Sequence, residues 1–389
     1  MAKARYLIVG VGLTADSACR AIREHDPDGS ILVVGEEPHP PYLRPPLSKA
    51  LWKGKSEDTI WRGTDMLGIE LRLGRRAVAL DLDTRTVTDE AGELYGYERL
   101  LLATGGRPRR LPFGGEDVIY FRTLDDYRRL RALAGNGIRA CVIGGGFIGS
   151  EVAAALAING CRVTIVFPEP AIGARLFPPQ LSSALNDYYR NRDVEVRPQT
   201  MVTAIGRRGR TVQVTLGDGL AIEADVVVAG IGITPNVELA SEAGLPAPDG
   251  VTVDAYGRVG GRDDVFAAGD VARFPAVALG RHLRVEHEDH AKCHGRLVGA
   301  NMAGARERYD HLPFFYSDLF DAGYEAVGEI DSRLDTLVEW SEPEGEGTIT
   351  YLDRERHPRG LLLWNRFGHL DAARELIRAG EPVGEHVQV

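Results

Sequence analysis

Short apolar runs that end in glycine turns set the rhythm of this chain. Tyr6-Leu-Ile-Val9 passes without a polar break into Gly10-x-Gly12-x-x-Ala15, and an alanine-rich stretch continues to His25. An unbroken apolar run predicts a strand buried on both faces, and the glycines and alanines behind it predict a tight turn and a helix. The same order returns 134 residues later, as Ala140-Cys-Val-Ile143, then Gly144-x-Gly146-x-x-Gly149, then a helix through Ser150 to Ile158. Each copy goes on to a second strand, Ser30 to Val34 and Arg162 to Phe167. These strands run to the acids Glu36 and Glu169, which lie 21 and 20 residues beyond the last small residue of their motifs.

Both copies continue alike. Arg76 to Asp89 alternates around the turn Asp83-Thr-Arg85, and Tyr97 to Ala103 predicts a buried strand leading into Thr104-Gly-Gly-Arg-Pro108. Val194 to Leu216 alternates around a glycine-bearing turn, and Ala224 to Ala229 leads into Gly230-Ile-Gly-Ile-Thr-Pro235. Each half therefore predicts a βαβ unit, a short β-meander and a last parallel strand with a glycine-rich exit. Asp263 to Asp270 is a further strand that returns to the first half and ends in Gly269-Asp270. Strands between Arg333 and Trp364 and a helix from Asp371 to Ala379 close the chain.

The glycines carry chemistry as well as shape. The first of each motif permits the tight turn and the second lets backbone approach a pyrophosphate. The third small residue packs helix on strand, so that the diphosphate meets the helix N-terminus and the acid downstream holds a ribose diol. One such motif is often an ordinary glycine turn. Two, each in strand-turn-helix context with a spaced acid, point to two dinucleotides. In that setting the carboxylate of Asp270 is expected beside a polyol such as the ribityl chain of a flavin.

Composition narrows the function classes. The chain has 389 residues, 44% apolar and 26% charged, which suits a folded protein of two to four domains. A net charge of −10 argues against nucleic-acid binding, which needs a cationic stripe to displace phosphate counterions. No apolar run reaches 18 residues, and the chain opens directly on a core strand, so no membrane association and a cytoplasmic location are expected. Three arginine groups stand out: Arg72, Arg75 and Arg76; Arg107, Arg109 and Arg110; Arg128, Arg129 and Arg131. They read first as solvated surface, with a docking face for an acidic protein as the alternative. The four cysteines, Cys19, Cys141, Cys161 and Cys293, have neither disulfide nor zinc-site spacing.

Several stretches carry a resemblance along nearly the whole chain. They are Pro41-Tyr-Leu-Arg-Pro-Pro-Leu-Ser-Lys49, Ala103-Thr-Gly-Gly106, Gly144-Gly-Gly-Phe-Ile-Gly-Ser-Glu151, Gly269-Asp270 and Val285-Glu-His-Glu-Asp-His290. With these the chain resembles the FAD-dependent pyridine nucleotide oxidoreductases, in the branch of oxygenase-coupled ferredoxin reductases and apoptosis-inducing factor. Gly323-Tyr-Glu-Ala-Val-Gly328 and Leu363-Trp-Asn365 look more like the latter. The resemblance implies an α/β fold of two Rossmann-type, glutathione reductase-like domains with an α+β C-terminal interface domain. The FAD domain is expected at 1–112 and 238–306, the inserted NAD domain at 113–237 and the C-terminal domain at 307–389.

The resemblance also implies site residues. Around FAD it places Gly10, Gly12, Ala15, Glu36, Arg44, Lys49, Val78, Ala103, Thr104, Gly105, Arg122, Asp270, Glu286, His287 and Tyr316. Around the nicotinamide nucleotide it places Gly144, Gly146, Phe147, Ile148, Gly149, Glu151, Glu169, Arg175, Gly232, Glu325 and Asn365. Tyr316, within Phe315-Tyr-Ser-Asp318, stands where the family commonly has Trp.

Lys49 and Glu151 are the expected catalytic pair. Pro45 and Pro46 suit the first turn of a short helix that would carry Lys49 inward, and Glu151 is expected to open the second Rossmann helix. If the two cofactors meet face to face, the pair would sit beside flavin N5. The alternative is a surface lysine and a glutamate favoured by the helix dipole. His287, His290, Cys293 and His294 could share a helical face, but one face seldom closes a four-ligand shell and no second ligand cluster is evident. We therefore expect no metal, and expect that helix N-terminus to face the flavin pyrimidine.

Glu169 would accept a free ribose diol and repel a 2′-phosphate, which favours NADH. No cysteine pair lies where a disulfide reductase needs one, so the electrons are expected to leave for an external acceptor. Two outcomes stay open. One is a reductase that passes electrons to a small iron–sulfur protein such as a ferredoxin. The other is an apoptosis-inducing factor-like flavoprotein with slow turnover, in which NADH controls conformation or assembly. The oligomeric state, a homodimer included, is not set by the sequence.

Overall fold

The apolar runs become strands because only the middle of a parallel sheet buries side chains on both faces. The computed structural model describes residues 2–342 and 345–387; the outermost residues of the expected first and C-terminal domains, 1, 388 and 389, lie outside the described residues. The chain divides into two compact units, Met1–Leu43 with Glu57–Arg107 and Thr234–Pro313, and Arg44–Ser56 with Pro108–Ile233 and Phe314–Val389.

In the first unit five parallel strands lie in the order Glu70–Leu73, Ile31–Gly35, Ala2–Val9, Leu94–Leu102 and Val265–Ala267. Val9 pairs with Val34 on one side and Leu102 on the other. The hairpin Ala77–Asp81 and Thr86–Asp89 joins the start of Leu94–Leu102 in antiparallel fashion. Tyr6, Ile8, Ala15, Cys19 and Ile22 pack with Val33, Leu101 and Phe266 between the sheet and the helix Leu13–His25. Asp16 on that helix is fully buried. It is held by Arg20, by Arg62 at 2.9 Å and by Thr64 at 2.7 Å, which ties the 57–67 segment down.

The second unit repeats the plan. Its parallel strands run Glu195–Arg197, Arg162–Val166, Arg139–Ile143, Val226–Ala229 and Val118–Tyr120, with a three-stranded meander of Val202–Arg208, Thr211–Leu216 and Ala221–Ala224. The outer fifth strand comes last in the first unit and first in the second. The same unit holds an antiparallel five-stranded sheet, in the order Phe314–Leu319, Ala322–Gly328, Pro358–Trp364, Glu346–Leu352 and Asp335–Glu342. The helix Leu370–Ala379 buries Ala373 and Ile377 against it.

Two local expectations change. The stretch after Pro45 is a pair of 3-10 turns, Pro45–Ser48 and Ala50–Lys53, and Lys49 is the break between them rather than a helical residue. The Lys49 amide donates to the Pro46 carbonyl, three residues back, and Lys49 itself leaves the helical region with φ −129° and ψ −93°. Second, the helix Phe147–Ile158 begins four residues before Glu151, which leaves Glu151 buried at 3% exposure instead of at the dipole end.

The first unit also contains the helix Glu288–Met302, with His287 as its N-cap. His290 and His294 point into the core, where His290 stacks on Phe274 at 4.5 Å and His294 lies 4.5 Å from the Tyr309 ring. Neither ring nitrogen of His294 has a hydrogen-bond partner among the described residues, and burial pushes its pKa down to about 3. Above pH 6.5 both folded and unfolded chains carry this imidazole neutral. Below 6.5 the unfolded chain takes up a proton that the folded one refuses, so stability is lost as the pH falls towards 3. Urea unfolding at pH 7, 6 and 5 is expected to show a midpoint that drops with pH in the parent chain and drops less in His294→Leu. Parallel declines would show that the imidazole is not responsible.

Candidate functional site

In the first unit, Gly10 adopts φ +117°, and a Cβ there would lie 2.1 Å from the Ala103 carbonyl oxygen. The fold itself demands glycine. Gly12 is different: its φ is an ordinary −91°, and an added Cβ would meet nothing within 4 Å. It is the N-cap of Leu13–His25, and no side chain caps that helix. Uncapped amides beside open space fit a bound diphosphate. Glu36 follows the strand Ile31–Gly35 and is exposed, and Ala15 is buried against the sheet. Thr104 donates its hydroxyl to the Asn236 carbonyl at 2.7 Å, and the Gly105 carbonyl accepts from the Asn236 amide at 3.0 Å, which fixes the exit of the strand carrying Ala103. Asp270 lies in the turn Gly269–Val271, Glu286 pairs with Arg284 at 2.8 Å, and Val78 is exposed on its hairpin.

The second unit has its own copy. Gly144 takes φ +114° with a Cβ position 2.4 Å from the Gly230 carbonyl oxygen, and a Cβ at Gly149 would lie 1.9 Å from the Gly144 oxygen. Gly146 again has open space and heads an uncapped helix, Phe147–Ile158. Ile148 is partly exposed, and Gly232 holds φ +93° after the last strand. Glu169 pairs with Arg175 at 2.5 Å. Both fingerprints thus keep glycine at one position that the protein does not need filled, which fits two dinucleotides.

Within the same unit Lys49 Nζ lies 2.7 Å from Glu151 Oε1, both side chains nearly buried. Ser48 donates to Glu151 Oε2 at 2.5 Å and Ser317 to Oε1 at 2.6 Å. The Lys49 ammonium also sits 5.3 Å from the Tyr316 ring centre, and Phe147 meets Phe315 edge-on at 5.1 Å. Lys49, Glu151, Phe147 and Tyr316 are therefore brought together. Ser48 and Ser317 were missed, although each adjoins a residue already singled out; a hydroxyl beside Lys49 and another beside Tyr316 were the available signal. Arg44 donates to the Arg122 carbonyl at 3.0 Å. Asn365, at φ +49°, bridges the Gly323 amide and the Gly345 carbonyl, and Glu325 accepts from the Gly368 amide at 3.3 Å.

The arginine groups are engaged locally. Arg72, Arg75 and Arg76 pair with Glu70, Asp89 and Glu90, and Arg107 with Glu238. Arg128 pairs with Asp125, and Arg110 and Arg131 lie over Tyr120 and Trp52. None of the four cysteines forms a disulfide, and burial pushes the Cys19 and Cys141 thiols up to about 12. No helix among the described residues is long and apolar enough to cross a membrane.

Two nested Rossmann-type folds, each with a phosphate-ready glycine turn, define a protein suited to two dinucleotides. Residues 4–295 match the family described as pyridine nucleotide-disulphide oxidoreductase, and the chain belongs to it. Residues 298–352 match the domain described as apoptosis-inducing factor, mitochondrion-associated, C-term. The chain is 37% identical to the ferredoxin–NAD(+) reductase component of the anthranilate 1,2-dioxygenase system of Burkholderia cepacia, over 96% of this chain and 94% of that one. It is 32% identical to mitochondrial apoptosis-inducing factor 1 of Dictyostelium discoideum, over 96% of this chain and 78% of that one. The fold superimposes on the reductase of the covalent putidaredoxin reductase–putidaredoxin complex with a TM-score of 0.91 at 30% identity, covering 98% and 95% of the two chains.

The open glycine positions give a direct test. Gly12→Ala is expected to fold normally by circular dichroism yet purify with markedly less FAD. Gly146→Ala is expected to keep its FAD and bind NADH at least about tenfold more weakly, since the methyl displaces backbone from the diphosphate. Unchanged occupancy and affinity in both would remove the assignment of these turns.

The ion pair gives a second test. Glu151→Gln leaves Lys49 buried beside an uncharged partner and is expected to cost about 3–5 kcal/mol in urea unfolding. Lys49→Met combined with Glu151→Leu is expected to recover most of that stability while flavin reduction by NADH stays slowed at least about tenfold. Recovery of both together would make the pair a purely structural element.

Proposed function

We propose that this protein takes a hydride from NADH onto FAD and delivers the electrons to a small iron–sulfur protein of the ferredoxin type. FAD supplies the step from a two-electron donor to one-electron acceptors; the chain's own residues bind, orient and charge its surroundings. The observation that carries the outward route is the state of the thiols: none in a disulfide, most of them buried and, at Cys19 and Cys141, held protonated. A reductase of the same family that retains electrons on a disulfide needs a reactive pair. The length-matched likeness to a dioxygenase ferredoxin–NAD(+) reductase and to putidaredoxin reductase supports a protein acceptor.

In this reading the first unit is the FAD domain, through Gly10, Gly12, Glu36 and Asp270, and the second carries NADH through Gly144, Gly146 and Glu169. Lys49, held by Glu151, supplies fixed positive charge, which favours a developing negative charge on a reduced flavin. Glu169 selects NADH by accepting from the ribose hydroxyls, and Arg175 orients that carboxylate. Thiols outside any disulfide fit a reducing compartment, and we place the protein in the cytoplasm.

A second reading is favoured by one observation. The C-terminal match is to the domain of apoptosis-inducing factor, a chain to which this one is also similar over most of its length. Under it NADH reduction changes conformation or association, and turnover is slow.

Stopped-flow mixing separates the readings. NADH is expected to bleach the flavin absorbance at least about tenfold faster than NADPH, since the carboxylate repels a 2′-phosphate. A [2Fe–2S] ferredoxin is then expected to restore that absorbance within the turnover time. Equal rates with both nucleotides would remove the role of Glu169. Bleaching that persists in the presence of the ferredoxin, with a change in sedimentation, would favour the second reading.

A further inference from the structure

Asp289, Cys293 and His311 in the first unit have no part in the flavin chemistry proposed above. Asp289 and Cys293 stand one turn apart on the helix Glu288–Met302, and His311 comes from the segment beyond the helix. His311 Nε2 lies 2.5 Å from Asp289 Oδ2, and Cys293 Sγ lies 3.7 Å from Asp289 Oδ1. One donor atom from each of the three falls within 4.8 Å of the others. All three side chains are partly exposed, so an ion can reach them from solvent.

We propose that these residues form a zinc-type metal site, with three protein donors and water in the fourth position. A second source of ligands for this helix, absent from the local sequence pattern, is provided by the fold. His311 is presented by an anchored segment: two residues earlier, the Tyr309 hydroxyl meets His290 Nδ1 at 2.8 Å and the Tyr309 amide donates to the Ala255 carbonyl at 2.7 Å. His290 is itself stacked on Phe274 in the core. The backbone that carries His311 is thus anchored two residues away by buried neighbours.

The donor set selects the ion. Thiolate with imidazole suits zinc and disfavours calcium and magnesium, which take oxygen donors. Around a tetrahedral zinc, bond lengths of about 2.0–2.3 Å place adjacent donors roughly 3.3–3.6 Å apart. His311 Nε2 and Asp289 Oδ2, now 2.5 Å apart, need to open by about 1 Å, their hydrogen bond being replaced by two metal bonds, and the remaining donor spacings, all within 4.8 Å, need to close by up to about 1 Å. Binding releases the Cys293 thiol proton to solvent, and His311 gives up its Nε2 proton and binds as the neutral imidazole protonated at Nδ1; the centre is then neutral, the ion's two charges being balanced by one thiolate and one carboxylate. A second cluster, Asp353, Glu355 and His357, differs in kind. It has no sulfur, and Asp353 Oδ1 already accepts the amides of Glu355 and His357 at 3.0 and 2.8 Å to close a turn.

The test uses the FAD-loaded full-length protein after treatment with a chelator. Titration with Co²⁺ is expected to give a thiolate-to-cobalt band in the near ultraviolet and tetrahedral visible bands in the difference spectrum, saturating at one equivalent and lost on adding Zn²⁺. Cys293→Ser is expected to abolish the thiolate band, and His311→Gln to weaken zinc at least about tenfold. His357→Gln is expected to change nothing. In the unsubstituted protein, zinc is expected to slow alkylation of Cys293 by iodoacetamide, read by peptide mass spectrometry, so the outcome does not rest on a variant that fails to fold. Absence of the thiolate band in the parent chain, its survival in Cys293→Ser, its loss in His357→Gln, or alkylation indifferent to zinc would each overturn the assignment.

Discussion

The buried contact between Lys49 and Glu151 joins three stretches that are far apart in sequence: the 3-10 break after Pro46, the helix behind the second glycine turn and, through Ser317, the C-terminal sheet. A buried ion pair is a poor way to gain stability, because desolvation of two charges offsets most of their attraction. The two serine hydroxyls lower that cost by occupying the remaining carboxylate sites. An apolar pair of similar volume would hold the three stretches together about as well. The arrangement makes sense as a means of keeping an ammonium at a fixed place. Tyr316, whose ring lies 5.3 Å from that ammonium, adds a weak attraction of the same sense.

Repetition explains why the two glycine turns are so alike and also where they part. Both first glycines are compelled by a carbonyl oxygen lying in the place of a Cβ, Ala103 in one unit and Gly230 in the other. At the third small position the first unit tolerates Ala15, whereas Gly149 lies so near the Gly144 oxygen that no side chain fits. The two helices therefore approach their turns to different depths. At the middle glycines, Gly12 and Gly146, nothing in the chain stands within 4 Å of a Cβ, which is the room the proposed dinucleotides would take.

Much of this was legible in the sequence because the pattern of a doubly wound sheet is local. Strand, turn, helix and strand succeed one another within about thirty residues, and burial on both faces writes itself as an unbroken apolar run. The Tyr6 and Ala140 strands, their helices and both hairpins come out of that pattern. Placing Lys49 on a helix does not, since two prolines can start an α-helix or a 3-10 turn alike and the carboxylate that pairs with Lys49, Glu151, comes from a distant stretch. The partners of Glu151 were hidden for a like reason: Ser317 lies 166 positions away, and no periodicity links them. The relation of His311 to the helix carrying Cys293 is likewise tertiary, fixed by Tyr309 folding back onto His290.

The fate of the electrons turns on chemistry that the fold leaves out. A flavin enzyme of this family can hold reducing equivalents on a thiol pair only if two sulfurs can approach each other and one can ionise. Cys19 and Cys141 belong to different compact units and are both pressed into apolar surroundings that keep them protonated, and Cys161 is buried as well. Cys293 alone is partly exposed, and its neighbours are a carboxylate and an imidazole instead of a second thiol. Metal ligation at that position would remove even this sulfur from redox traffic, because a thiolate bound to zinc is a weaker nucleophile than a free one. Reduction by NADH then has no thiol pair among the four cysteines to act as a covalent store, which is the chemical ground for the proposed transfer to an external acceptor.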